Sequence, residues 1–125
     1  MRVVVIMALP VPQTREAEAL LRFLEAAQAL GLSRAEQARL LGLPLRTYQR
    51  RLKEGGLQAR EVPAAEFLPA IYEEAVRGFG DSERAREWLT SYVPALGARP
   101  VDLLGDLEGY RRVQAALGSA LHGFL

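Results

Sequence analysis

A chain of 125 residues, half of them apolar, can form one packed domain or two small helical lobes that share a core. It has no cysteine, which excludes disulfides, thiolate catalysis and cysteine-based zinc sites and suits a reducing cytosol. Sixteen basic residues, all arginine except Lys53, nearly cancel fifteen acidic ones, so the net charge of +1 suggests no partner until it is followed along the chain.

The first segment, MRVVVIMALPVP, predicts a short β-prone arm over residues 1–13, packed on the domain or exchanged with a second subunit. Its uncharged run from Val3 to Thr14 contains two prolines and falls well below the roughly 20 residues of a spanning helix. Cleavage near Ala17-Glu18-Ala19 would remove the start of the amphipathic helix that follows, so a secretory leader is not expected. Thr14 caps a helix from about Arg15 to Leu30, with Leu20, Leu24 and Ala27 on one face and Gly31 as its stop. Ser33 to Glu36, reading SRAE, is a capping box, and Gly42 closes that short helix. Pro44 suits the first turn of the next helix, which ends at Gly55-Gly56. Beyond a polar link, Pro69 is expected to open a helix reaching Arg77. Asp81 caps SERAREWLT, Pro100 opens a short turn, and Asp106 caps a last helix towards His122. The expected fold is all-α: a helix-turn-helix bundle over residues 14–60, then a small helical domain over 61–125.

Charge divides these parts sharply. Residues 1–32 are neutral, residues 33–60 carry +5, and residues 61–125 carry −4. A basic module joined to an acidic one points to nucleic acid for the first and a different partner for the second. On a helical wheel, Leu45, Tyr48 and Leu52 face inward, Arg46, Thr47 and Arg50 lie opposite, and Gln49, Arg51 and Lys53 flank them. Arginine can bond guanine through both its O6 and N7, and Gln49 can do the same to adenine. Arg46, Thr47, Gln49 and Arg50 are therefore candidate base readers, with Lys53 on phosphate. Ser33 and Arg34 stand at a helix start, where free backbone N–H groups favour phosphate. Helix pairs with a glycine turn also occur in proteins that never touch DNA; the local charge favours DNA here.

The stretch SRAEQARLLGLPLRTYQRRLKEGGL resembles the Xre-type helix-turn-helix of the Xre/MbcA/ParS antitoxins. The second half resembles that family's toxin-binding domain at Phe79-Gly80-Asp81, Ala85, Trp88-Leu89, Pro94, Leu96-Gly97, Pro100, Asp102-Leu103-Leu104, Gly109, Leu117 and His122-Gly123. It departs where Ala98 replaces the usual second glycine, and with two residues after Gly123 a longer inhibitory tail is not expected. The resemblance implies a type II antitoxin that binds a RES-type, NAD⁺-destroying toxin and represses its own operon. It further implies that Trp88, Leu104, Gly109, Arg112, His122 and Gly123 serve toxin binding.

Several of these residues also have a plain structural use. Trp88 beside Ala85 and Leu89 fits a core, and His122 fits a helix C-terminus. Gly109 inside a helix costs about 1 kcal/mol relative to alanine, which close approach by another helix or a partner would explain. With one histidine and no phosphate-binding glycine loop, neither an enzyme nor a metal or cofactor site is expected. A second class stays open: a solitary helix-turn-helix regulator whose acidic half dimerises or binds an effector. A homodimer, or a larger complex with the toxin, is expected, since symmetric dimers read two half-sites about 34–36 Å apart.

Overall fold

The computed structural model describes residues 14–123. The expected N-terminal arm, residues 1–13, lies outside them. Among the described residues the chain is all-α, with six helices, two 3-10 turns and no sheet. In order these are α1 (Arg15–Ala29), α2 (Arg34–Leu40), α3 (Leu45–Glu54), a turn at Ala59–Glu61, α4 (Val62–Phe79), α5 (Ser82–Thr90), a turn at Pro100–Leu103 and α6 (Leu107–Leu121).

Side chains set the helix starts as their positions predict. Thr14 Oγ1 accepts from the Ala17 amide at 3.0 Å, and Asp81 Oδ1 accepts from Glu83 at 3.0 Å. Ser33 and Glu36 form the reciprocal capping box, at 3.1 Å and 2.8 Å. At the other ends, Gly55 (φ +85°) and Gly80 (φ +72°) close α3 and α4 in the left-handed region, which only glycine enters freely.

The centre of the molecule is α4. On one side α1 lies along it in the same direction, with Arg15 3.9 Å from Glu66 and Arg22 2.8 Å from Glu73. On the other side pack α5 and α6. Buried residues from every helix merge into one hydrophobic core, so the basic and acidic halves share an interior. Phe23, Tyr48, Leu68, Leu104 and Leu117 are fully enclosed, each stabilising the fold by about 1.5–3 kcal/mol through burial.

The structure corrects three expectations. The fourth helix opens at Val62, with Pro63 in its first turn, and Pro69 lies inside it rather than at its start. An internal proline costs about 3 kcal/mol through a lost donor and a clash. Here Pro69 is buried beside Ala19 and Arg22 of α1, and apolar burial on both flanks of α4 offsets that cost. Leu45 does not face inward: 41 % of its surface is exposed at the start of α3. The core face of α1 centres on Phe23, whose ring meets that of Tyr48 edge-on at 6.3 Å, while Leu24 is only half-buried.

Candidate functional site

The second helix of the helix-turn-helix, α3, presents two opposed faces. Arg46, Gln49, Arg50 and Lys53 are exposed, and none has a hydrogen-bond or ion-pair partner among the described residues. Thr47 sits half-buried beside them. The structure thus brings four of the expected DNA-facing side chains to one exposed face, with donors unoccupied. Cations left unpaired this way can meet phosphates or base edges without first giving up an internal partner.

Behind this face, polar contacts hold the helix. The Tyr48 hydroxyl donates to Gln37 Oε1 at 2.7 Å, and Gln37 Nε2 donates to the Leu32 carbonyl at 2.8 Å. Both side chains are buried, and burial raises the Tyr48 phenol above its usual range. Arg51 is not a flank of the basic face, as the wheel suggested. It is 4 % exposed and makes a bidentate pair with Glu61, each bond 2.8 Å long. The bond from Arg51 holds the Glu61 carboxyl below the ordinary range, and the Glu61 carboxylate in turn raises Arg51. The Gln58 amide donates to the same carboxylate at 2.8 Å. Sequence reasoning missed both contacts. The signals were available: Arg51 stands one helical turn beyond Tyr48, and Gln58 to Glu61 has capping-box spacing.

At the start of α2, Ser33 and Arg34 are exposed, as phosphate contact requires, although Arg34 Nη1 also donates to Gln37 Oε1 at 2.9 Å. Glu36 joins this helix to the second half. Its carboxylate accepts from Arg99 at 2.8 Å, and Arg99 also pairs with both Asp102 oxygens at 3.0 and 2.9 Å. The Ser33 amide and then Arg99 hold Glu36 below its ordinary range.

The six residues expected to serve toxin binding separate by depth. Leu104 has no exposed surface, and Gly109 is buried. A Cβ on Gly109 would collide with the Leu103 carbonyl, so the close approach implied by this glycine comes from the chain's own backbone. Asp106 Oδ1 caps the same turn by accepting from the Gly109 amide at 2.8 Å. Trp88 is half-buried against the core, its ring 6.4 Å from Phe79. Arg112, His122 and Gly123 are exposed. Arg112 donates to the Leu96 carbonyl at 3.1 Å, and His122 Nδ1 lies 2.7 Å from the Gly118 carbonyl at the end of α6. Gly123 follows with φ +79°. Among the described residues, no helix is long and apolar enough to cross a membrane.

Comparison with known proteins finds two family models that match the chain. Residues 11–61 match the family model of the antitoxin Xre-like helix-turn-helix domain. Residues 75–123 match that of the antitoxin Xre/MbcA/ParS C-terminal toxin-binding domain. No curated protein matches the chain. Both families are binding modules rather than enzymes. With the two spans together taking in most of the sequence, the chain belongs to the Xre/MbcA/ParS antitoxins: a helix-turn-helix domain joined to a toxin-binding domain.

Proposed function

We propose that this antitoxin neutralises a RES-type, NAD⁺-degrading toxin by direct binding, and represses its own operon as a homodimer in the cytoplasm. The observation that carries the proposal is the pairing, in one chain, of an unpartnered basic face on α3 with a second half that matches a toxin-binding family. Residues 14–60 serve DNA and residues 61–125 serve the toxin. Arg46 and Arg50 read guanine edges, Gln49 an adenine, and the Thr47 methyl packs on a thymine methyl. Lys53, Ser33 and Arg34 hold phosphates and set the register.

On the toxin side, Arg112, His122, Gly123 and the exposed edge of Trp88 form the contact surface, and Leu104 and Gly109 shape it from beneath. NAD⁺ carries a pyrophosphate, so a cleft that binds it is electropositive. The net charge of −4 on residues 61–125 complements such a cleft, which speeds association more than it deepens affinity. The test is co-expression of the full chain with the toxin encoded beside it, scoring growth and cellular NAD⁺. The wild-type chain should restore both, and folded Arg112→Ala and His122→Ala should each restore less of both. Full neutralisation by both Arg112→Ala and His122→Ala would remove this surface. A neighbouring toxin that leaves NAD⁺ intact would remove the RES assignment.

A further inference from the structure

Of the four basic side chains of α3, Arg51 alone is withdrawn from solvent. Burying a guanidinium is unfavourable unless its donors are met, and a buried ion pair is often no more stabilising than apolar residues of the same volume. A leucine at this position would simply have widened the apolar stripe of Tyr48 and Leu52. Stability alone therefore does not account for an arginine here. Direction does: a bidentate fork has one good geometry, whereas apolar contacts tolerate rotation.

We infer that the Arg51–Glu61 pair is a specificity-determining device for DNA reading: it fixes the rotation of α3 about its own axis and so decides which base edges Arg46, Gln49 and Arg50 reach. At about 100° per residue, Arg51 and Tyr48 lie on the side of α3 away from Arg46, Arg50 and Lys53. Two polar contacts act there, to different bodies. Tyr48 bonds Gln37 of α2, and Arg51 bonds Glu61, the residue directly before α4. Glu61 is itself held by the Gln58 amide, and α4 is the helix on which α1, α5 and α6 pack. The recognition helix is thereby referenced to the helix at the centre of the molecule, not only to its neighbour in the motif. Base readout needs such a reference. A rotation of about 20° on a helix of about 5–6 Å radius displaces side chains by about 2 Å, enough to break a bidentate contact with a base. Phosphate contacts, made by a point charge on a flexible stem, survive that displacement. Arg51 is thus a positioning residue that never touches DNA.

This inference rests on the assignment of α3 as the DNA-reading helix, and the experiment separates the two. The full-length chain is titrated with a duplex from upstream of its own gene and with a random duplex of equal length, at two salt concentrations. Arg51→Met/Glu61→Met removes both charges and keeps the volume. It should leave the melting temperature and the affinity for random DNA near wild type and lower the specific-to-random ratio about tenfold, the worth of roughly one base pair. Glu61→Asp, which keeps the charge and shortens the anchor, should move the same ratio in the same direction by a smaller factor. A folded variant of either kind with the wild-type ratio overturns the inference. Arg50→Ala is the control: if it too leaves the ratio unchanged, the reading face itself is misassigned, and if it alone lowers the ratio, only the role of Arg51 fails.

Discussion

The two halves of this antitoxin place their recognisable residues differently. In the helix-turn-helix, Arg46, Gln49, Arg50 and Lys53 are exposed and unpartnered among the described residues, on the face proposed to meet DNA, while Tyr48 and Arg51 of the same stretch are buried. In the second half the marks divide: Ala85, Leu89, Leu96, Pro100, Leu104, Gly109 and Leu117 are buried, whereas Gly80, Asp81, Pro94, Gly97, Asp102, His122 and Gly123 are exposed. The apolar marks encode a shape, and exposed ones such as Gly80, Asp81 and His122 sit at helix ends. A motif can thus specify contact in one region of a chain and packing in another. Burial, not resemblance, distinguishes the two.

The comparison can be broken by mutation, and the largest effect should come from the buried side. Leu104→Ala should lower unfolding stability by about 2–5 kcal/mol in urea titration, because a fully enclosed leucine leaves a cavity. Arg112→Ala, on the surface of the same half, should leave that titration nearly unchanged. Gly109→Arg reports on folding rather than on toxin release, since the space for its Cβ is taken by the Leu103 backbone. On the DNA side, Arg50→Ala should cost about 1–3 kcal/mol in operator affinity and relax preference at one base pair, with stability unchanged.

Smaller effects sharpen the boundary between the halves. Glu36 of α2 pairs with Arg99 of the second half, and its pKa in the folded chain is lowered. The stability it contributes is therefore present above its unfolded pKa, about 4.3, and is lost as pH falls through the lower folded value. Glu36→Gln keeps an acceptor for the Ser33 amide and removes the charge. It should be less stable at pH 7 by under about 1 kcal/mol and should lose less stability than wild type on acidification below about pH 4.5, read by thermal melts. Lys53→Ala should weaken operator and random DNA alike and reduce the salt slope by about one.

Much of this was legible in the sequence because it rests on local chemistry. Thr14, Ser33, Asp81 and Asp106 cap their helices as spacing alone predicts, and the basic face of α3 follows from period and charge. What escaped depends on partners distant in sequence. Pro69 reads as a helix start until α1 is seen lying against it. Arg51 reads as one more surface cation until Glu61, ten residues away, is brought beneath it. Gly109 reads as room for a partner until the Leu103 carbonyl fills that space. A helical wheel places a residue on a face but does not say what that face meets.

The central claim is that DNA and toxin are held by separate surfaces of one folded chain. It is tested most directly by co-expressing the neighbouring toxin with a full-length chain carrying Arg46→Ala and Arg50→Ala, in cells scored for growth. The account predicts growth equal to that with the wild-type antitoxin, because neither side chain belongs to the second half. Growth arrest alongside a folded variant would contradict it.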